Sequence, residues 1–442
     1  MEGRARARAG AGAGEGSPNS EGGSHAARPA PTDPSPSPSP GGAFGAAARL
    51  LIIVDYFADP PVIGTSVLAY HWARALRRRG HAVDLLCAFE AWDEAWAPYY
   101  RSAGVGRPGV DVVRRGRLRR ALSMLGGVPP ALARVDARRL AAAVEAAGRR
   151  YDAVVVIGPA LLRVAERLER SCRVLFVPTD AVSLVLERRT APWPRPLERL
   201  RWRIEAAMWR RLEAQRLSRL GAVAFVAPED ARAAARRWPA ERRRRLHVIP
   251  NGVDAEFFRP AAAAPRPAEL VFTGNLWTYD STVGARWFIE RVLPRVADAV
   301  GAVRLRLVGR DPAPALREAA ARDERIAIDA DVPDLRPYLA AATAYVCPLI
   351  SGAGVKNRLL EALAMGKAAV ATTMCAAPLG LVDDRHLLVA DAPEAFADAV
   401  IRLLREPETR ERLGSAARTE VATRFSWDAA AGLVEAALAS IE

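Results

Sequence analysis

Two glycines, two cations and a carboxylate lie close together late in the chain. They are, in order, Gly352, Gly354, Lys356, Arg358 and Glu361, and they stand at the start of an apolar, helix-like run. Glycine lets backbone amides approach a ligand closely, and a helix presents a partial positive charge at its N-terminal end. Lys356 and Arg358 can both reach phosphate oxygens and stabilise the charge that develops when a phosphate departs. The segment therefore predicts a diphosphate-binding site.

A further glycine precedes a helix in the N-terminal half. Gly64 follows two prolines and leads into an amphipathic stretch over residues 66–79. It and its neighbours can offer backbone amides at a helix start, although a glycine loop alone does not specify a ligand.

The elements that must position these residues come in two series of short apolar runs, separated by longer amphipathic stretches. The first series comprises residues 50–54, 83–89, 153–157, 173–177, 222–226 and 247–249, and the second comprises 269–272, 304–308, 326–328, 344–347 and 368–371. Such alternation is typical of parallel sheets flanked by helices. The chain is therefore predicted to be an α/β protein with two doubly wound, Rossmann-like domains. Ligands of such sheets bind beyond the carboxyl ends of the strands, so we expect the chemistry in a central cleft.

The predicted domain boundaries follow from composition. Residues 1–48 are dominated by Gly, Ala, Pro and Ser and cannot bury enough apolar area to offset their ordering entropy, which predicts a disordered tail. The stretch 259–267 is rich in Pro and Ala and has no periodicity, as a linker does. We therefore place the N-terminal domain at 49–260, the C-terminal domain at 261–425 and a last helix at 426–442.

Charge is distributed unevenly along the chain. The net charge is +14 for the whole sequence, but +18 for residues 49–250 and −4 for residues 251–442. A field confined to one half directs that half towards an anionic partner, and nucleic acid, anionic lipid and a phosphorylated acceptor all qualify. Almost every basic residue is Arg, so a compositional bias of the coding sequence is the alternative explanation.

One basic segment, residues 195–220, predicts a long helix with two candidate faces. Leu197, Leu200, Ile204, Met208 and Leu212 form one apolar stripe, and Trp202 and Trp209 point to roughly the opposite face among arginines. Trp and Arg on an outward face are typical of helices that bind an anionic membrane surface. A helix buried on two sides is the alternative.

Several classes of protein are disfavoured. No apolar run reaches the roughly 18 residues needed to cross a bilayer, and the N-terminus lacks the apolar core of a signal peptide. The four cysteines are widely spaced, which predicts reduced thiols, and no His or carboxylate cluster has the spacing of a metal site. We therefore expect a cytoplasmic protein without a bound metal, one that can lie peripherally at the inner face of the plasma membrane.

Four segments together resemble the retaining glycosyltransferases of family 4, also called glycosyl transferases group 1. They are residues 249–254, 271–275, 307–309 and 352–366, within a resemblance that covers roughly residues 50–442. The resemblance implies a GT-B fold and transfer of a sugar from a nucleotide-diphosphate donor, with retention at the anomeric carbon and without a bound metal. It also implies a last helix that crosses back to the first domain. The donor-binding residues that it implies are Gly64, Gly274, Asn275, Gly309, Gly352, Gly354, Lys356, Arg358 and Glu361.

Glu361 matches the second acid of the family's signature, in which seven residues separate two glutamates. This match implies contact with the ribose hydroxyls of the donor. A surface ion pair with Arg358, three residues away, is the alternative. The first acid of the signature would fall on Ala353, so its contact to the sugar must be absent or supplied elsewhere.

A third candidate catalytic residue lies in the N-terminal half. Many members of the family carry a His at the end of the strand that here reads through residues 174–180, whereas this chain has Asp180 as the only ionisable group at that point. A carboxylate there can position the acceptor hydroxyl or take its proton. An N-cap for the following helix is the alternative. The predicted catalytic residues are thus Asp180, Lys356 and Arg358.

The resemblance, together with these features, implies a retaining, hexosyltransferase-type glycosyltransferase of surface polysaccharide or glycoconjugate synthesis. Its expected partners are a nucleotide sugar as co-substrate and a glycan or lipid-linked acceptor, with an anionic membrane surface as a candidate partner of the basic domain. No further cofactor is predicted, and nucleic acid is not expected. Two alternatives stay open: a nucleotide-sugar 2-epimerase, which shares the architecture, and a catalytically silent GT-B scaffold or nucleic-acid binder.

Overall fold

The computed structural model describes residues 47–55, 64–87, 127–132, 135–146, 151–189, 196–261 and 266–441. All of them belong to one compact unit, Ser37–Glu442. The predicted disordered tail lies outside the described residues, apart from its last two positions. The two prolines before Gly64 and the middle of the predicted linker also lie outside them.

Twelve strands in the described residues form two sheets. The strands are β1 (Arg49–Val54), β2 (Ala82–Cys87), β3 (Ala153–Ile157), β4 (Arg173–Thr179), β5 (Ala222–Phe225), β6 (Leu246–Val248), β7 (Glu269–Asn275), β8 (Arg304–Arg310), β9 (Ile326–Ala330), β10 (Ala344–Cys347), β11 (Ala369–Ala371) and β12 (Leu388–Val389). The first sheet has the order β2-β1-β3-β4-β5-β6 and the second the order β12-β11-β10-β7-β8-β9. Every pairing of these strands is parallel. The predicted α/β class with two doubly wound sheets is confirmed; β12 was not predicted, because two residues are too few to form a recognisable apolar run.

Fifteen α-helices accompany the two sheets in the described part of the chain. They are α1 (Gly64–Arg78), α2 (Ala137–Ala146), α3 (Leu162–Leu168), α4 (Val182–Arg189), α5 (Pro196–Gln215), α6 (Pro228–Ala235), α7 (Tyr279–Trp287), α8 (Leu293–Val300), α9 (Pro314–Arg322), α10 (Arg336–Ala341), α11 (Asn357–Ala364), α12 (Thr373–Ala376), α13 (Pro393–Arg405), α14 (Pro407–Arg424) and α15 (Trp427–Ala439). A π-helical turn at Phe288–Val292 joins α7 to α8. Pro294 lacks an amide hydrogen and its ring crowds the carbonyl four residues earlier, which accounts for the widened turn.

The first sheet is buried on both faces. Along β1, Leu50, Ile52 and Val54 pack into one core cluster, and Leu51 and Ile53 pack into another on the opposite face. Successive side chains of a strand point to opposite faces, so a parallel sheet covered on both sides requires a continuous apolar run. The covered strands hold their carboxyl ends, and the residues that follow them, in fixed positions.

The last helix, α15, packs against the first sheet although it follows the second sheet in sequence. Trp427, Ala431 and Val434 belong to the core cluster that β1 and α1 form. The Trp427 ring also stacks on His71 of α1, with ring centroids 4.3 Å apart. The segment after the second sheet therefore contributes to the core of the first half.

A charged network secures α15 to the end of α1. Arg79 Nε and Nη2 donate to the two carboxylate oxygens of Glu435 at 2.6 and 2.7 Å. His81 Nδ1 accepts from the Ala48 amide at 3.2 Å, which leaves Nε2 to donate to Glu435 at 3.0 Å. Burial alone would raise the pKa of the Glu435 carboxyl, but the hydrogen bonds from Arg79 and His81 hold it below its usual value.

The orientation of α5 is the reverse of the predicted one. Leu197, Leu200 and Ile204 are 81%, 56% and 44% exposed, whereas Trp209 is 2% exposed and Trp202 is half-buried. The hypothesis of an outward Trp surface is therefore wrong, and the helix is not buried on two sides. Indole rings bury more apolar area than leucine side chains do, which favours them at the inward positions.

Candidate functional site

Two strands of the second sheet have a glycine next to their last residue, and the two glycines lie against each other. β7 ends with Gly274 and Asn275, and β8 pairs Gly309 directly with Gly274. Gly309 has a φ of +154°, and a Cβ there would lie 2.8 Å from the carbonyl carbon of Gly274. The contacts of Gly309 are thus with its neighbouring strand, and a contact of Gly309 or Asn275 with a donor stays a prediction.

The glycine loop, which we define as residues 351–356, connects β10 to α11. Gly352 and Gly354 have φ values of +105° and +72°, a region that favours glycine over residues with a side chain. Lys356 stands at the N-cap of α11, and its Nζ donates to the carbonyl of Ala353. The loop therefore curls around its own lysine at the positive end of a helix, an arrangement suited to an anion.

Arg358, in the first turn of α11, lies across the gap between β7 and α7. Its Nη1 donates to Ser281 Oγ at 2.9 Å, and its guanidinium carbon lies 5.2 Å from the centroid of the Phe272 ring. A Cβ on Gly274 would come within 2.6 Å of Nη1, so a side chain at that position would displace the guanidinium. Gly274 and Arg358, predicted separately from sequence, are brought together by the fold.

Glu361 follows one turn later on α11 and is partly exposed. Burial by the surrounding protein raises the pKa of its carboxyl to about 7, and the positive charge of Arg358 opposes this shift. Because the Arg358 guanidinium is directed to Ser281, a surface ion pair is not what orients Glu361. The carboxylate keeps acceptor positions for hydroxyl groups of a ligand.

Asp180 reaches the glycine loop from the first half of the chain. It follows Thr179, which has a left-handed φ of +69° where the register of β4 against β5 shifts. A Cβ on Gly354 would overlap Oδ1 of Asp180 and would lie 2.9 Å from its Cγ. Burial raises the pKa of the Asp180 carboxyl; the charge of Lys356 opposes the rise and that of Asp280 adds to it.

The N-cap alternative for Asp180 does not hold. Ala181 is the residue directly before α4, and its amide donates to Asp230 Oδ1 of α6 at 3.0 Å. The amide of Ser183 donates to Glu213 at 3.0 Å. Side chains from other helices thus satisfy the start of α4, and the Asp180 carboxylate faces the glycine loop. Burial, together with the charge of Asp180, raises the pKa of Asp230 to about 7.

Gly64 is the one predicted site residue that no contact in the described ranges joins to this group. It is the first residue of α1, it is exposed, and no atom would lie within 4 Å of a Cβ built on it. The loop before it, residues 56–63, lies outside the described residues.

Sequence reasoning missed the side chains that join the two halves beside the loop. Arg188 Nη1 donates to the carbonyl of Gly352 at 3.2 Å, and Arg189 Nη2 donates to Asp280 Oδ2 at 3.3 Å. Tyr279 Oη donates to the carbonyl of Arg189 at 3.3 Å. The only signal in the sequence was an arginine pair at the end of a short helix, which in a chain this rich in arginine does not stand out.

Comparison with known proteins agrees with this geometry. Residues 62–257 match a family described as Glycosyltransferase Family 4, and residues 267–406 match a family described as Glycosyl transferases group 1. Between them the two matches cover most of the chain. The chain belongs to the group 1 glycosyltransferases.

This group 1 glycosyltransferase is also similar to individual relatives and solved structures. A phosphatidyl-myo-inositol mannosyltransferase of Mycobacterium leprae is 33% identical over 210 residues, which are 45% of the chain and 55% of the relative, so the chain spans about half of that relative's length. The structure of a sucrose-phosphate synthase from Thermosynechococcus elongatus matches this fold with a TM-score of 0.61 at 19% identity, and the match covers 87% of this chain and 96% of the synthase chain. The Anabaena protein HepE, solved with UDP and glucose, has a TM-score of 0.62 at 14% identity, over 88% of the chain and 98% of its own. These two likenesses show a shared GT-B fold.

Two kinds of feature are absent from the described residues of the glycosyltransferase. No three or more His, Cys, Asp or Glu side chains lie close enough together there to hold a metal ion. Nor is any helix in those ranges long and apolar enough to cross a membrane. Catalysis without a cofactor other than the donor stays a prediction.

Proposed function

We propose that this chain is a retaining glycosyltransferase that moves a hexosyl group from a nucleotide-diphosphate sugar to a glycan or lipid-linked acceptor in surface polysaccharide or glycoconjugate synthesis. One observation carries the proposal: the Asp180 carboxylate of the first half lies against Gly354, in the glycine loop that holds Lys356. Membership of the group 1 glycosyltransferases supports sugar transfer. The likeness to a protein solved with UDP and glucose supports a nucleotide sugar as donor.

The donor's diphosphate rests on the amides of the glycine loop and the N-terminal end of α11. Lys356, whose ammonium donates to the Ala353 carbonyl, turns to a phosphate oxygen when donor binds. Arg358 adds positive charge from the end of β7. Glu361, one turn along α11, accepts hydrogen bonds from the ribose hydroxyls. The donor-binding half thus recognises phosphate and ribose with side chains of a single loop and helix.

The transfer step follows from what faces the loop. The acceptor hydroxyl oxygen forms a bond to the anomeric carbon while the bond from that carbon to the phosphate oxygen breaks. The electron pair of the broken bond leaves with the nucleoside diphosphate, whose charge Lys356 and Arg358 stabilise. The hydroxyl proton passes to the Asp180 carboxylate, whose pKa burial raises, and a base with a raised pKa is the stronger proton acceptor.

The contact between Asp180 and Gly354 also supports retention at the anomeric carbon. Retention in a single displacement requires the new bond to form on the face from which the phosphate departs. Because the carboxylate lies against the loop that holds the phosphate, the acceptor hydroxyl and the departing phosphate share one side of the sugar.

A binding experiment with a panel of nucleotide sugars tests the donor site. We expect calorimetry to detect UDP- or GDP-sugars and the matching nucleoside diphosphate, and we expect Glu361→Ala and Lys356→Ala each to weaken binding by about tenfold or more. Glu318→Ala, which removes an exposed helical glutamate from the same half, is the matched control and should bind as wild type does. If the wild type bound no nucleotide, the proposed enzymatic function would be refuted and a scaffold would be favoured.

The stereochemistry of the product tests retention separately. The anomeric configuration of the product, read by proton NMR, should equal that of the donor sugar. A product with inverted configuration would still show glycosyl transfer, but it would refute the proposed attack at Asp180 on the face from which the phosphate departs.

We further propose that α5 binds an anionic membrane surface, which would bring a lipid-linked acceptor to the cleft. The exposed Leu197, Leu200 and Ile204 have the spacing of one helix face, and the exposed Arg201 and Arg203 flank that face. Each leucine that enters the lipid would contribute up to about 1.5–3 kcal/mol, and each arginine near an anionic surface about 1 kcal/mol.

Vesicle sedimentation tests this surface. The double variant Leu197→Ser, Leu200→Ser should lose sedimentation with vesicles that contain phosphatidylglycerol, while donor affinity stays unchanged. Leu433→Ser replaces an exposed leucine on α15, away from this face, and should sediment as wild type does. Equal sedimentation of the double variant and the wild type would refute the α5 surface.

A further inference from the structure

Asp280 places a carboxylate beside the glycine loop although the sequence pattern assigns nothing to it. It is the second residue of α7, directly after the turn that follows β7. Its Oδ2 would lie 3.2 Å from a Cβ on Gly352, and Lys356 Nζ would lie 3.4 Å from the same point. The α-carbon of Gly352 therefore has a carboxylate and the phosphate-binding lysine close to it.

The hydrogen bonds of Asp280 hold the carboxylate in place without using all of its acceptor positions. Ser351 Oγ, in the glycine loop, donates to Oδ1 at 2.7 Å, and Arg189 Nη2, from the other half, donates to Oδ2 at 3.3 Å. A carboxylate has about four lone-pair positions, so these contacts within the described part of the chain leave two for other donors. The bond to Arg189 is long, which makes it the partner that a ligand displaces.

The neighbouring residue explains why a carboxylate is needed at this place. Ala353 is 7% exposed and has a methyl group, which cannot accept a hydrogen bond, where the resemblance leads one to expect an acid that contacts the sugar. The donor's sugar is joined to the phosphate that Lys356 binds. Its ring hydroxyls must therefore lie within one sugar's width of that lysine, on the loop that Asp280 borders.

We infer that Asp280 binds the hydroxyl groups of the donor's sugar and so selects which sugar is transferred, with Ser351 holding its orientation. The inference rests on the proposed function, because it requires a nucleotide sugar on the glycine loop. A carboxylate that accepts from two adjacent hydroxyls distinguishes sugars that differ in the configuration of one of them.

The test compares two ligands that differ only by the sugar. Asp280→Asn and Asp280→Ala should leave the Kd for UDP or GDP within about twofold of wild type. The Kd for the nucleotide sugar that wild type prefers should rise about 10- to 100-fold, the range of a hydrogen bond to a charged group. The preference between UDP-glucose and its galactose epimer, or between the corresponding GDP-sugars, should also weaken.

Two controls separate sugar binding from a structural role. Arg189→Ala removes the ion pair across the cleft but leaves the Asp280 carboxylate, so the ratio of the two Kd values should stay at its wild-type value. Asp298→Asn removes an exposed carboxylate on α8, in the same half, and should change neither Kd.

Each other outcome overturns the inference in a distinct way. If Asp280→Asn raised the Kd for the nucleoside diphosphate as much as the Kd for the nucleotide sugar, Asp280 would serve the conformation of the loop and not the binding of the sugar. If Arg189→Ala weakened binding of the nucleotide sugar as much as Asp280→Asn does, the role of Asp280 would be to hold the two halves together. If wild type bound no nucleotide at all, the proposed function would fail first, and Asp280 would fail with it.

Discussion

Replacing Gly354 by Ala tests the contact on which the proposed mechanism depends. At a φ of +72° an alanine costs about 1–2 kcal/mol relative to glycine, whatever its surroundings. For a domain of this size that cost lowers the melting temperature by roughly 3–6 °C. In addition, the new Cβ would overlap Asp180 Oδ1 and lie 2.9 Å from Cγ, tighter than the 3.4 Å at which ordinary contact begins. The carboxylate must therefore move or the two halves must separate.

A double-mutant cycle separates these two contributions. Wild type, Gly354→Ala, Asp180→Ala and the double variant are compared by thermal denaturation and by the Kd for a nucleoside diphosphate. In the Asp180→Ala background only the backbone cost remains, so Gly354→Ala should destabilise the protein less there than in wild type, with a coupling above about 0.5 kcal/mol. If Gly354→Ala costs the same in both backgrounds, Asp180 does not lie against the glycine loop in solution and its role as proton acceptor is refuted.

Two further predictions concern pH. The pKa of Glu361 is about 7, so its ionised fraction rises roughly tenfold between pH 6 and pH 8. The affinity for a nucleoside diphosphate should rise over the same range, because the ionised carboxylate accepts from both ribose hydroxyls. Calorimetry across that range should show a flatter profile for Glu361→Gln, and parallel profiles would contradict the assignment to ribose. In the network at α15, the pKa of Glu435 lies below its usual value, so the network stabilises the fold above about pH 4.5 and loses its effect as pH falls through the folded value. Arg79→Ala should therefore cost up to about 3 kcal/mol at pH 7 and less at pH 4, because the buried Glu435 carboxylate loses both hydrogen bonds from Arg79 and keeps the one from His81. Arg79→Lys is the milder control. An equal drop in melting temperature at both pH values would show that packing, not charge, secures the helix.

The local part of the candidate site could be predicted because it lies in one stretch of chain. Gly352, Gly354, Lys356, Arg358 and Glu361 fall within ten residues, and the geometry of one loop and one helix relates them. Their residue types therefore already imply an anion site. The prediction for Asp180 also benefited from local order, since a residue just beyond a buried parallel strand must lie at the carboxyl edge of the sheet.

The part of the site that lies across the cleft could not be predicted in this way. Arg189 and Asp280 are 91 residues apart, and Arg188 reaches the Gly352 carbonyl over 164 residues. No periodicity connects residues that belong to different halves. The contact of each arginine depends on how the two halves meet. Asp280 lies in the same half as the glycine loop but 71 residues before Ser351, so only the folded protein shows that it borders the loop.

By itself, the sequence determined the alternation of strands and helices, the two sheets and the glycine loop for which anion binding is proposed, because each depends on the spacing of apolar residues and glycines over short distances. The tertiary structure alone decided which face of α5 is buried. Helical periodicity defines two faces, of leucine and of tryptophan, but the free energy of burial depends on what each face packs against. In the fold Trp209 enters the core while Leu197 and Leu200 stay in contact with solvent. The same physical reason holds where the two halves meet, because Asp180 and Gly354 follow strands of different sheets and only the tertiary structure brings them together.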